Sequence, residues 1–220
     1  MRERAATRGL LRAGVVALCA FAFGGAAAAK DADSASVTDT AVKAKLQYCE
    51  VCHGIAARGF RGYSPIPRLA GQQTQYLENQ LQAFIEHRRT NNIMFNVGHV
   101  MSPAMIDGLA TNFKALDPKP LGGAPKNLAA DGKQIFDNGV SATSVPACAS
   151  CHGADGKGNG PFPRLAGQVY EYVVAKLKNW DKERGQNPSQ PDTSAVMQPI
   201  AHNLSDQQIK AVAAYVSDLE

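Results

Sequence analysis

Two short stretches of this chain carry residues that can do chemistry. Cys49-Glu50-Val51-Cys52-His53 and Cys148-Ala149-Ser150-Cys151-His152 share the pattern Cys-x-x-Cys-His and use four of the five cysteines in 220 residues. This is the attachment signature of c-type haem: two thiols add across the porphyrin vinyl groups, and the adjacent histidine ligates the iron. Other uses fit worse. Paired Cys-x-x-Cys motifs build a zinc site when about 15–20 residues separate them, whereas 95 residues lie between Cys52 and Cys148. Disulfides leave both histidines unexplained, and no strand–helix context supports a thioredoxin-like redox motif. Two covalently attached haem c groups are the expected cofactors, held by Cys49, Cys52, Cys148 and Cys151, with His53 and His152 on the irons.

The elements that position these groups show in an internal repeat. The two motifs lie 99 residues apart, and Pro67-Arg68-Leu69-Ala70-Gly71-Gln72 returns as Pro163-Arg164-Leu165-Ala166-Gly167-Gln168 at an offset of 96. At that offset Tyr76, Leu77, Leu81 and Phe84 match Tyr172, Val173, Leu177 and Trp180. At an offset of 103, Ile106, Leu109, Ala110 and Phe113 match Ile209, Val212, Ala213 and Val216. That last set is spaced i, i+3, i+4, i+7, one apolar face of a helix. Ser205 with Gln208 predicts a capping box, and Ser102 before Pro103 predicts a helix start. The offsets imply a three-residue deletion in the second copy and a seven-residue insertion near Asn187 to Asp192. Leu116 to Asn127, with three prolines and two glycines, reads as the linker. No period-2 strand pattern stands out. The expected fold is all-α: tandem domains over 30–119 and 120–220, each wrapped around a haem. Domains of about 90 residues bury little core of their own, so the cofactor must serve as core.

The repeat also selects a second iron ligand. Met197 stands just ahead of the last helix, while the first copy offers Met94, Met101 and Met105. Position 94 lies 103 before Met197; Met101 falls opposite Leu204 and Met105 opposite Gln208, a staple position and an exposed one. Met94 and Met197 are the expected axial ligands, in keeping with Met/His ligation of electron-transfer cytochromes. His99 and His202, also 103 apart, are the rival pair; the alternative is that both lie beside the haem edge or on the surface. His87 matches Glu183 and reads as solvated.

Residues 1–29 read as a cleaved signal peptide: Arg2, Arg4, Arg8 and Arg12, an apolar run from Ala13 to Phe23, then Ala27-Ala28-Ala29. Eleven apolar residues fall short of the ~20 needed to span a bilayer. Unpaired arginines favour general export over the twin-arginine route. This segment carries +3 of the formal +4, leaving +1 and no argument for nucleic acid. The composition is otherwise that of an ordinary globular protein.

With both haem motifs, both Pro-Arg-Leu-Ala-Gly-Gln segments, both methionines and the Leu204 to Tyr215 stretch in view, the chain resembles the di-haem cytochrome c4 family. The resemblance implies two class I cytochrome c domains packed pseudo-symmetrically, with haem propionate edges near one another. It implies that the Pro67 and Pro163 carbonyls accept hydrogen bonds from His53 and His152. It also implies a periplasmic, non-enzymatic electron carrier between a cytochrome bc-type donor and a haem-copper terminal oxidase. A monomer is expected, in contact with a membrane at most peripherally. Arg68 and Arg164 suit bidentate pairing with propionates, with a surface position as the alternative. The first copy departs from the pattern at Val100-Met101-Ser102-Pro103 and at Asn112, which stands opposite Tyr215. The second function considered is a di-haem subunit of a periplasmic dehydrogenase, or a haem oxidoreductase of the thiosulfate dehydrogenase type. The latter uses a cysteine iron ligand, and none is left over once Cys19 departs with the signal peptide.

Overall fold

The computed structural model describes residues 37–184 and 193–220. The signal-peptide segment, most of the polar lead-in and the expected insertion at 187–192 lie outside these residues. Helix α1 (Asp39–His53) begins where the Thr38 hydroxyl accepts from the Ala41 N–H, and it runs unbroken into the first haem motif. Gly54 ends it at φ +79°, where a Cβ would stand 2.5 Å from the Gly59 carbonyl oxygen. Only glycine fits there. The turn that follows is closed by the Gly59 N–H donating to the His53 carbonyl at 2.7 Å. Gly158 closes the same turn on His152 at 2.8 Å.

Helices α2 (Thr74–Ile85), α3 (Asn92–Gly98) and α4 (Pro103–Ala115) complete the first half. The second half holds α5 (Ala129–Asn138), α6 (Ala149–His152), α7 (Tyr170–Lys178), α8 (Trp180–Glu183), α9 (Met197–Asn203) and α10 (Asp206–Asp218). The repeat is visible in these pairs: α2 matches α7 plus α8, α3 matches α9, and α4 matches α10. One element breaks it. The single α1 of the first half corresponds to two pieces, α5 and α6, parted by the loop that carries the Val140–Val145 bridge. Among the described residues there is no β-strand, only isolated bridges.

Both predicted caps form. Ser102 accepts from the Met105 N–H ahead of Pro103, and Ser205 exchanges hydrogen bonds with Gln208 in a full capping box. The predicted apolar faces are the buried ones: Ile106, Leu109, Ala110 and Phe113 on α4, and Ile209, Val212, Ala213 and Val216 on α10. Two apolar clusters result. One gathers Val42, Leu77, Leu109 and Phe113; the other gathers Ile135, Phe136, Ile209, Val212 and Val216. Met105 is half-buried against the first cluster, and Gln208 is half-buried too, so the matched position is not the exposed one expected.

Terminal helices cross closely in each half. Gly108 on α4 lies against Val42 of α1, while in the second half the glycine has moved to the other helix. A Cβ on Gly132 of α5 would fall 2.1 Å from the Ala211 carbonyl oxygen of α10. The neighbour is backbone and cannot swing aside, so Gly132→Val should force the helices apart. We expect a loss of about 3 kcal/mol or more, read as a lowered thermal midpoint and as protease cuts confined to 129–220. An unchanged midpoint would mean that the crossing is not tight.

Candidate functional site

The motif histidines sit at the same place in each half. His53 closes α1 and His152 closes α6, and both are buried. The His53 Nδ1 lies 2.9 Å from the Pro67 carbonyl oxygen, and the His152 Nδ1 lies 2.8 Å from that of Pro163. A carbonyl can only accept, so each Nδ1 carries the proton and each Nε2 lone pair is free for a metal. Burial lowers the pKa of both rings, which keeps them neutral, the form that ligates. Burial likewise raises the thiol of Cys49, and that of Cys148 to about 11.

All these groups line one apolar cavity of about 450 Å³ that runs through both halves. Cys49, Cys52, His53, Met94 and Met101 form part of its wall, as do Cys148, Cys151, His152, Met197 and Leu204. The predicted faces of α2 and α7–α8, including Tyr76, Leu77, Leu81, Phe84 and their four counterparts, also face it. Met105 does not line it. Neither does His99, whose exposed ring stacks on Phe95 and whose Nδ1 donates to the Phe95 carbonyl. His202 is exposed and pairs with Asp181. Exposed His87 also stacks on Phe95.

Four arginines lie buried beside the cavity: Arg68, Arg89, Arg164 and Arg184. A surface position for Arg68 and Arg164 is thereby ruled out. Both reach Asp117 of the linker, at 3.6 and 3.5 Å, from opposite sides. One exposed carboxylate does not satisfy two buried guanidiniums. Burial and the like charge of Arg164 lower the Arg68 pKa to about 10, and its Nη1 and Nη2 make no hydrogen bond. The Nε of Arg89 is likewise without a partner. Unsatisfied buried donors on the wall of an apolar cavity call for acceptors from whatever fills it. A flat, apolar macrocycle bearing carboxylates meets both demands, so the residues present fit haem.

The comparisons agree. The family model "Cytochrome c" matches residues 129–220. Cytochrome c-552 of Acidithiobacillus ferridurans is 41% identical over 176 residues, 78% of this chain and 73% of its own. The thiosulfate dehydrogenase electron acceptor of Thiomonas intermedia is 35% identical, over 77% of each chain. The cytochrome c4 structure from Acidithiobacillus ferrooxidans superimposes with a TM-score of 0.67 at 38% identity, covering 79% of this chain and 99% of that one. The chain belongs to the cytochrome c4 family. It is a di-haem c-type cytochrome that transfers electrons, with one covalently bound haem at each Cys-x-x-Cys-His motif.

In this cytochrome the contact between halves is built from reciprocal pairs. Gln168 of the second half accepts from the Arg68 backbone N–H at 2.8 Å and donates to the Arg68 carbonyl at 3.1 Å. Gln72 of the first half does the same to Arg164, at 2.6 and 3.0 Å. Arg89 and Arg184 meet in an antiparallel bridge, and Arg89 also bonds Tyr172 and Gln80. Repeat arithmetic did not find this second arginine pair: at an offset of 96 Arg184 falls opposite Arg88, and Arg89 opposite Gly185. A further cross-contact joins Arg61 to Glu171 at 2.6 Å.

Arg61 holds the Glu171 carboxyl below the usual carboxylate range, chiefly through that hydrogen bond. A depressed folded pKa gives stability that is present above the unfolded value and lost as pH falls through the folded one. The pair is partly exposed, so Glu171→Gln should cost about 1 kcal/mol or less at neutral pH. The gap in thermal midpoint from the unmodified cytochrome should close as the pH falls below about 4. A gap that persists at acid pH would assign it to packing rather than charge.

Proposed function

We propose that this cytochrome is a periplasmic carrier, exported by residues 1–29 and folded as domains over 30–119 and 120–220. It receives electrons from a cytochrome bc-type donor and delivers them to a haem-copper terminal oxidase. It has no catalysis of its own, works as a monomer, and touches a membrane at most peripherally. Cys49 and Cys52 anchor the first haem and Cys148 and Cys151 the second. His53 with Met94, and His152 with Met197, ligate the irons. Haem iron held there would supply one-electron chemistry between the ferric and ferrous states.

The observation that carries this reading is the shared cavity, with a motif histidine and a methionine on its wall in each half. Met101 shares the wall, but its counterpart Leu204 does too and has no ligand atom. That supports wall packing for 101 and ligation for 94 and 197. The exposed His99 and His202 give the bis-histidine reading no support. Two protein ligands on each iron leave no open position for a substrate, which favours transfer over activation. The apolar wall would limit water around a bound haem, and the neutral imidazoles, fixed through Nδ1, would not need to reorient when the iron charge changes. A second reading draws on the Thiomonas intermedia relative named as an electron acceptor of thiosulfate dehydrogenase: this chain serves a periplasmic dehydrogenase.

Two measurements test the reading. The exported protein should have the mass of the chain from about Lys30 plus two haems, with no free thiol; one haem, or titratable thiols, would overturn it. Met94→Ala and Met197→Ala should each remove half of the near-infrared methionine–iron absorption of the ferric protein. Each should also lower the potential of its own haem, because a soft thioether that favours ferrous iron is lost. Met101→Ala should leave that absorption intact. Loss in Met101→Ala but not in Met94→Ala would reverse the assignment in the first half.

A further inference from the structure

The two glutamines do more than join the halves. Pro67 C=O and Arg68 N–H belong to one peptide unit. Its oxygen accepts from His53 Nδ1 at 2.9 Å, and its N–H donates to Gln168 Oε1 at 2.8 Å. The second half mirrors this: Pro163 C=O accepts from His152 Nδ1 at 2.8 Å, and Arg164 N–H donates to Gln72 Oε1 at 2.6 Å. Each chain runs from an imidazole, through a single amide, to a side chain of the opposite half. Hydrogen bonds in series polarise one another. An acceptor on the amide N–H pushes electron density onto its carbonyl oxygen, which then draws harder on the Nδ1 proton and makes the imidazole a stronger donor to ferric iron.

We infer that Gln168 and Gln72 are crossed positioning residues: Gln168, in the second half, tunes the proximal histidine of the first haem, and Gln72 tunes that of the second. The inference rests on His53 and His152 being the iron ligands. Both glutamines are built in. Gln168 is 7% exposed and Gln72 4%, and their amide nitrogens are bound to the Arg68 and Arg164 carbonyls. Each oxygen also accepts from the next residue's own N–H, Val169 at 2.9 Å and Gln73 at 2.9 Å. Those second bonds fix the side chain before the halves meet. Gln72 and Gln168 are thus held rigidly enough to act on a neighbour's peptide rather than follow it.

The test uses the full di-haem protein. In Gln168→Leu the first haem's potential should rise and the His53 Nδ1 proton should exchange severalfold faster, with the second haem unmoved. In Gln72→Leu the effects should swap haems. Gln168→Glu keeps the acceptor oxygen and should move the first haem's potential the other way, downward. Potentials come from optical titration, with each haem identified by its hyperfine-shifted resonances in nuclear magnetic resonance spectra. A shift confined to the haem of the mutated half would overturn the inference. So would equal shifts at both haems, no shift, or the same sign for Leu and Glu at position 168. The ligation beneath it is checked separately: hyperfine-shifted ring protons of His53 and His152 in the unmodified protein report iron binding whichever way the variants behave.

Discussion

The structure depends on a constraint of size. Domains of about 90 residues bury only a limited apolar core of their own, and here much of the apolar surface of each half is cavity wall. The apolar faces of α2 and of α7–α8 are turned toward that space. The two packed clusters share its wall: Leu77, Leu109 and Phe113 of one, and Val173, Val212 and Val216 of the other, line it. Sequence, fold and function therefore share one requirement. A large flat group would complete the core of helices short enough to leave the cavity and apolar enough to line it, and covalent attachment keeps that group from leaving.

A second constraint follows from joining two such units at their cavities. Burying four arginines with one exposed carboxylate between two of them is unfavourable in isolation. Anionic groups in the cavity would offset that cost for Arg68 and Arg164, while Arg89 and Arg184 also bond Gln80. The reciprocal glutamines extend that logic to the backbone. The Pro-Arg peptides lie outside any helix or sheet, and their polar groups find partners in the histidine on one side and the opposite half on the other.

Much of this was legible in the sequence. Offsets of 99, 96 and 103 located the matching helices, the caps at Ser102 and Ser205 and the cavity-facing residues, because those features are local and periodic. The proline carbonyls came from the family resemblance, and the structure bears them out. The reach of Gln72 and Gln168 was not legible, although both were quoted in the repeat. A repeat says that two positions are equivalent, not that each contacts the other copy. Arg89 and Arg184 escaped because they lie 95 apart, one residue out of register with the offset of 96 that pairs Arg184 with Arg88, and α5 escaped because its counterpart is fused into α1. Burial of Arg68 and Arg164 was open for a related reason: a lone arginine in a loop carries no periodic signal of its environment.

Symmetry of the scaffold does not make the sites equal. Phe162 turns its ring edge to His152 at 6.5 Å, while its counterpart in the matching bridge, Ile66, has no aromatic ring to offer. Beside the first motif, Val51 and Ile55 stand in solvent where the second has Ser150 and Ala154. On the last helix Tyr215 packs on Phe136, whereas Asn112 at the matching place bonds only its own helix, through the Gly108 carbonyl. A tighter, drier shell favours the less charged state of whatever it surrounds, and a more exposed one tolerates the more charged state. The two halves thus place like residues in unlike surroundings, and they meet through side chains that each half supplies to the other's backbone. A group held at one motif would meet a different shell from its counterpart at the other.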